Sequence, residues 1–170
     1  MKKLPVLLLL SVAFATLFAQ QPVKKYVLIE HFTNSRCGVC ASRNPAFFSL
    51  IEQAQNASEV RHLAVHPQFP YSSCVFYQAN TADNTAMVNR YTIFGTPTVV
   101  LNGTVNPSGS SLLTQSALNN YLNQTSPLHV KVTENNSGPT RTVNISARTV
   151  GSVPTGQYKC TSCWLKKPST

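Results

Sequence analysis

The sequence predicts a layered α/β domain followed by a short β-rich segment. Three observations lead there. Between residues 26 and 123, short β-branched apolar runs alternate with stretches of helical spacing, the pattern of strands and helices packed in layers. One apolar run opens on a proline and closes on an Asn-Gly pair, which marks a strand start and a tight hairpin turn. Beyond Pro127 apolar and polar residues alternate, as in a hairpin with one exposed face.

The first strand is residues 26–32, YVLIEHF, an apolar run dense enough to be buried. Thr33-Asn34-Ser35-Arg36 breaks it, and Cys37 and Cys40 follow. Residues 45–55 carry Phe47, Phe48, Leu50, Ile51 and Ala54 at helical spacing, so the cysteine pair sits at or in the first turn of a helix. Residues 59–66, EVRHLAVH, read as a second strand, and 67–73 as a loop rich in Pro, Tyr and Ser. A short helix starts near Cys74. Residues 83–91 form another, with Ala86, Val88 and Tyr91 as its apolar contacts. The proline strand, 94–103, is FGTPTVVLNG, and Val105 begins its return strand. Residues 110–123 read as a helix with Leu112, Leu113, Ala117, Leu118, Tyr121 and Leu122 inward. The β-rich segment pairs 129–133 with 142–147, joined by 135–139. The expected division is residues 1–19, 22–125 and 127–170.

Residues 1–19 have a basic start, an apolar run from Leu4 to Phe18 and a small residue, Ala19. That is the layout of a cleaved secretory signal. The run is somewhat short for a membrane anchor and no charged stop follows it. No cysteine stands at the cleavage point, which argues against a lipid anchor. No other stretch is apolar enough to span a bilayer. Export would place the cysteines in an oxidising compartment, and five of them leave at least one unpaired in the monomer. The chain carries 14 Lys and Arg against 5 Asp and Glu. Without Lys2 and Lys3, 12 basic residues remain and the net charge is about +7. Lys159, Lys166 and Lys167 crowd the C-terminus, and the other charges are scattered without aromatic interleaving. A nucleic-acid partner is therefore not expected.

The pair NSRCGVC is compatible with zinc, haem or electron exchange. A second pair, Cys160 and Cys163, lies about 120 residues downstream of Cys40, too far for a compact zinc ribbon. Covalent haem needs His after the second cysteine, where Ala41 stands. His31, His62, His66 and His129 form no metal-ligand spacing; His62 and His66 share one face of a strand. No metal and no cofactor is expected. The redox reading wants this pair at a helix N-terminus after a buried strand. The N-terminal amides and macrodipole favour a thiolate at Cys37, and Arg36 adds positive charge beside it. Cys37 is then the lower-pKa, more exposed nucleophile of the two and Cys40 the buried resolving thiol.

YVLIEHFTNSRCGVC together with FGTPTVVLNG resembles the two signature pieces of the thioredoxin superfamily. The resemblance implies a central mixed sheet flanked by helices, a cis Pro97 facing the cysteines, and Thr96 and Pro97 as the backbone contact for an extended substrate segment. The sequence departs from thioredoxin at three places. Arg36 replaces the tryptophan before the first cysteine, Val39 replaces the proline between the cysteines, and His31 replaces the buried acid six residues before Cys37. The proton acceptor for Cys40 is then His31, or its neighbour Glu30; the alternative is that both are ordinary strand-end polar residues. VLIEHFTNSRCGVC, HPQFPYSSCVFYQAN and RYTIFGTPTVVLNG are also similar to the twenty-eight-kilodalton outer-membrane-protein family of Bacteroidota, over most of residues 22–160. In that segment Cys74 is either a third redox thiol or a buried small residue.

The tail YKCTSCWLKKPST does not continue the β pattern. Inserting one nucleotide before codon 160 permits Y-K-L-H-V-V-L-V-E-K-T-I, a strand-like segment that echoes residues 128–134. The expectation is a slipped reading frame near Lys159, a truncated β module, and no evolved function for Cys160 and Cys163. An intact frame in closely related genes would overturn it.

Two functions are weighed. The first is an exported thiol–disulfide oxidoreductase of the periplasm or outer-membrane-associated cell envelope, with protein thiols or disulfides as partners. The second is a non-catalytic envelope structural or binding protein in which Cys37–Cys40 is a structural disulfide. Reactivity of Cys37 at neutral pH discriminates them. The oligomeric state is left open.

Overall fold

A computed structural model describes residues 22–107 and 109–160. The expected signal, residues 1–19, and Cys163 lie outside the described residues. Residues Lys24–Thr125 form one compact unit, and the chain from Ser126 onward falls in a second.

The first unit is a four-stranded mixed sheet with helices on both faces. Its elements run β1 (Val27–Phe32), α1 (Gly38–Ile51), α2 (Ala54–Ala57), β2 (Val60–Val65), α3 (Val75–Ala79), α4 (Thr81–Tyr91), β3 (Thr98–Leu101), β4 (Thr104–Val105) and α5 (Gln115–Asn119). The two-residue strands Val23–Lys24 and Thr125–Ser126 precede and follow them in sequence. The sheet order is β2-β1-β3-β4. β1 pairs in parallel with β2, from Val27 opposite Val60 to Phe32 opposite Val65. β3 runs antiparallel to β1, with Ile29 opposite Leu101 and Phe32 opposite Thr98.

This register decides which side each β1 residue faces, because successive side chains of a strand alternate. Val27 and Ile29 join Val60, Val99 and Leu101 under Phe47 and Ile51 of α1, and Leu112, Leu113 and Leu118 close that layer. Phe32 points the other way, into a layer with Val65, Ile93 and Val100 on which Met87, Val88 and Tyr91 of α4 pack. His31 therefore lies on the α1 side and Glu30 on the α4 side. Glu30 is buried and accepts a 2.7 Å hydrogen bond from the Tyr91 hydroxyl. Burial, then that bond and the carboxylate's charge, push the Tyr91 phenol up to about 12. Tyr91→Phe would leave Glu30 buried without its donor. The expected cost is about 1–2 kcal/mol in the urea-unfolding free energy; a loss under about 0.5 kcal/mol would mean that water replaces the phenol.

The Asn-Gly turn after β3 is built on Asn102 (φ 47) and Gly103 (φ 86). Both occupy the left-handed region that a two-residue hairpin turn requires. Asn102 also extends the ladder. Its backbone N–H donates to Leu28 O at 2.9 Å, and its Oδ1 accepts from Leu28 N at 2.8 Å.

Helices depart from expectation at two places. α1 begins at Gly38 and runs through Pro45 to Ile51, and residues 54–57 form a separate turn. Pro45 has no N–H for the carbonyl of Ala41, a local weakness carried by the burial of Phe47 and Ile51 on either side of the next turn. The helix expected over 110–123 is reduced to Gln115–Asn119. Thr114 is the reason: its hydroxyl accepts from Ala117 N at 3.2 Å and caps the helix there. Leu112 and Leu113 still reach the core, from the bend that precedes the cap.

In the second unit, β5 (Leu128–Ser137) and β6 (Thr140–Thr149) form an antiparallel hairpin. Its strands continue to Ser137 opposite Thr140. The connection is thus the two residues Gly138 and Pro139, not the five expected, with Gly138 at φ 59. Val130, Val132 and Ile145 share an exposed face.

Among the described residues no helix is long and apolar enough to cross a membrane.

Candidate functional site

The break after β1 places Cys37 at the N-cap of α1. Its φ of −80° and ψ of 110° are extended, and its Sγ accepts a hydrogen bond from Cys40 N at 3.1 Å. A side chain that caps a helix with an acceptor satisfies an otherwise orphaned amide. A sulfur in that place is stabilised most as a thiolate. The first turn of α1 carries no acidic residue to oppose this. The Cys37 S–H reaches Thr96 O at 3.8 Å, and the Thr96–Pro97 peptide bond is cis.

Both thiols are free and buried, Cys37 at 5% exposure and Cys40 at 1%. Burial pushes the Cys37 thiol up, but hydrogen bonding from the Cys40 thiol, from Thr96 and from the amides of Cys40 and Val39 outweighs it, and the net direction is down. Burial pushes Cys40 up, the proximity of Cys37 adds to it, and Thr96 and Thr33 only partly offset the two. The Thr96 hydroxyl is buried with no partner of its own in the dithiol state. It stands close enough to both sulfurs to favour a thiolate at either one.

Two concavities lie near the pair, one beside Val39, Thr96 and Pro97 and one lined by the cysteines themselves. An open groove of about 570 Å³ runs along Val39, Phe94, Gly95, Thr96, Pro97 and Asn106. Phe94 is 88% exposed on its rim, and Val39 is also exposed. A second cavity of about 310 Å³ touches Cys37, Cys40, Asn44, Phe48, His66 and Phe76.

The other sequence-derived positions fall in different places. His31 is fully buried on the α1 side, its ring centroid 4.5 Å from Phe47, 5.9 Å from Phe48 and 5.5 Å from His62. Both its ring nitrogens lack a hydrogen-bond partner. Burial first, then the neighbouring His62, lowers its pKa to about 4, against a smaller opposing effect of the Asn44 side chain. Glu30 lies across the sheet, bound to Tyr91. The Arg36 guanidinium donates to Ser73 Oγ at 2.7 Å rather than to a sulfur. Cys74 is fully buried and its Sγ accepts from Ser35 Oγ at 3.2 Å. Burial raises the Cys74 thiol, yet Ser35 and the amides of Phe76 and Tyr77 bring it below its ordinary value. Cys160 is exposed. Among the described residues no three His, Cys, Asp or Glu side chains are grouped to hold a metal ion.

The sequence reading missed Asn34. It is 3% exposed, and its amide nitrogen donates to Pro67 O (3.0 Å), Phe69 O (3.2 Å) and Tyr71 O (3.0 Å). Its Oδ1 accepts from Arg36 N and its backbone O from Cys37 N, each at 3.0 Å. Asn34, Ser35 and Arg36 thus tie the loop before Cys37 to residues 67–74. The only local signal was an Asn in a four-residue polar break.

A mixed sheet with helices on both faces, a CxxC pair opening the first long helix and a cis proline against the first cysteine together define a thioredoxin-like fold. No family model matches the sequence, and no curated protein matches it. Among solved structures it is similar to HBP35 of Porphyromonas gingivalis, with a TM-score of 0.58 and 18% identity over 75% of this chain and 43% of that one. The chain therefore spans less than half the length of that protein. It also aligns with a thiol-disulfide isomerase from Corynebacterium glutamicum, with a TM-score of 0.43 and 13% identity over 61% of this chain and 84% of the other. At 18% identity the likeness to HBP35 is one of fold, and function rests on the site.

Proposed function

We propose that the chain is a thiol–disulfide oxidoreductase acting on protein thiols or disulfides. The observation that carries the reading is the Cys37 sulfur at the N-cap of α1, bonded by Cys40 N at 3.1 Å and lying against Thr96 O. In the reducing direction, the Cys37 thiolate attacks one sulfur of a substrate disulfide. The substrate S–S bond breaks, its other sulfur leaves as a thiolate and takes a proton, and a mixed disulfide remains. Cys40 then loses its proton and attacks Cys37 Sγ. The Cys37–Cys40 bond forms, the mixed disulfide breaks, and the substrate leaves fully reduced by two electrons. The reverse sequence oxidises a dithiol. The groove along Thr96 and Pro97 takes the extended substrate segment, and Val39 and Phe94 offer it apolar contact.

The same reading assigns the chain to the exported twenty-eight-kilodalton outer-membrane-protein family, in the periplasm or at the outer membrane. Its support is the basic start and apolar run of residues 1–19 and the three quoted motifs.

The test is the reduction potential of Cys37–Cys40 in the full chain carrying Cys160→Ser and Cys163→Ser. A value between about −120 and −270 mV is expected, with Cys37 alkylated first at neutral pH. Cys37→Ser should abolish disulfide exchange, and Cys40→Ser should trap a mixed disulfide. A potential below about −300 mV with Cys37 refractory to alkylation would overturn the reading in favour of an inert disulfide in a binding protein.

A further inference from the structure

The resolving step needs a destination for the Cys40 proton, and Cys40 is 1% exposed. His31 stands at the strand position nearest to expectation, but it is enclosed by Phe47, Phe48 and His62. It is absent from the wall of the cavity that touches Cys40. His66 is in that wall, with Cys37, Cys40, Asn44, Phe48 and Phe76. β1 and β2 explain why. In the parallel register His62 lies opposite Ile29 and Ala64 opposite His31, so His62, Ala64 and His66 follow one another up the α1 side of the sheet. His66 comes out just past the end of β2, level with the cysteines.

The ring of His66 is held in place. It stacks on Phe76 with centroids 4.6 Å apart, and its backbone N donates to Asn84 Oδ1 at 2.7 Å. Its Nδ1 is buried and has no partner. An unfilled ring nitrogen on a residue of the wall and a 310 Å³ cavity beside it mark a place for water, which needs about 30 Å³ per molecule and polar partners. We propose that His66 is the proton acceptor for Cys40 in the resolving step, reached through water in this cavity. This rests on the oxidoreductase reading above and deepens it.

The balance is simple. The proton on Cys40 Sγ passes through water to the free ring nitrogen of His66. The electron pair left on Cys40 forms the bond to Cys37 Sγ. The pair of the broken mixed disulfide leaves on the substrate sulfur, which is protonated from solvent as the imidazolium returns its proton by the same water. At neutral pH His66 is uncharged and able to accept, because burial lowers its pKa against a smaller opposing effect of the Thr33 backbone. The titratable and charged neighbours are His31 on β1, His62 on β2 with Glu52 acting on it, and Cys37 and Cys40 on α1. Arg36 is bonded to Ser73 and Cys74 to Ser35, and Asp83 precedes Asn84 on α4.

The experiment follows 5,5′-dithiobis(2-nitrobenzoate) reacting with the reduced full chain carrying Cys160→Ser and Cys163→Ser. The first release of thionitrobenzoate reports attack by Cys37, and the second reports resolution by Cys40. A Cys37→Ser/Cys40→Ser variant supplies the Cys74 background. His66→Gln is expected to slow the second release about 10–100-fold at pH 7, the low end for general-base assistance because water intervenes. The first release should change less than twofold. In the unsubstituted ring the second release should rise with pH through an inflection below 6.5 and then level, and His66→Gln should convert this to a plain rise with hydroxide. Equal second-release rates and profiles in the two proteins would overturn the proposal, as would a loss in His31→Leu with none in His66→Gln. Should His66→Gln fail to fold, a second release in the unsubstituted protein that climbs in proportion to hydroxide from pH 5 to 8 would overturn it equally. A failed first release would instead overturn the oxidoreductase reading.

Discussion

Between pH 6.5 and pH 4 the first unit is expected to lose about 3 kcal/mol of stability through His31 alone. The side chain is fully buried, both nitrogens lack partners, and the folded state holds its pKa at about 4 against 6.5 for an ordinary histidine. The folded protein therefore keeps His31 neutral where the unfolded chain binds a proton. Stability rises with pH wherever the unfolded state binds more protons. The contribution is fully present above 6.5 and is lost as pH falls through the interval down to about 4. Each pKa unit corresponds to about 1.4 kcal/mol, which gives the stated loss. His62 and His66, lowered mainly by burial as well, push in the same direction. Glu59 acts on a separate range. A hydrogen bond from Asn123 N and the ammonium of Lys24 hold its carboxyl below the usual value, so its effect appears below pH 4.5. Urea-unfolding midpoints at pH 7, 6, 5 and 4.5 measure the slope. His31→Leu removes the two unpartnered nitrogens and should flatten the slope over this interval while leaving the pH 7 stability equal or higher. An unchanged slope in His31→Leu would show that His31 is not the group that charges.

The contrast between His31 and Glu30 shows where local pattern stops being informative. The run VLIEHF identifies a buried strand by its apolar density, and it does form β1. It places two ionisable residues next to each other without saying which faces the cysteine helix, since both faces of this strand are covered. Only the pairing of Ile29 with Leu101 and of His31 with Val99 decides that. The Asn-Gly turn was legible because it needs only two adjacent residues able to take positive φ. The start of α5 was not, because Thr114 sits inside an apolar period that would otherwise favour one long helix, and a single capping hydroxyl shifts the start by several residues. The cavity beside Cys40 was beyond reach for a third reason. Its wall draws on the break after β1, on α1, on the end of β2 and on Phe76 of α3, and no window of sequence contains them together.

Asn34→Ala is expected to cost about 3 kcal/mol, because one amide group holds three backbone carbonyls. Two N–H bonds on Asn34 serve three carbonyls, those of Pro67, Phe69 and Tyr71, so one of them is shared. Pro67 is buried, whereas Phe69 and Tyr71 reach solvent. Truncation therefore strands the Pro67 carbonyl at the full desolvation cost of about 1–3 kcal/mol, while water recovers most of the other two. The lost Oδ1 contact to Arg36 N adds about 1 kcal/mol. Because Asn34 O also holds Cys37 N, the loop in front of the nucleophile loosens as well. Asn34→Asp separates this account from simple loss of packing. It keeps the side-chain volume and the bond to Arg36 N, but it turns the donor into a carboxylate facing three carbonyl oxygens. It should therefore be less stable than Asn34→Ala at pH 7, although it is closer to Asn in shape, and should recover part of the difference as the carboxyl protonates. Urea midpoints for both variants, at pH 7 and below pH 4.5, test the order. Asn34→Asp equal to the parent would mean that the three carbonyls find other donors and that Asn34 does not clamp the loop.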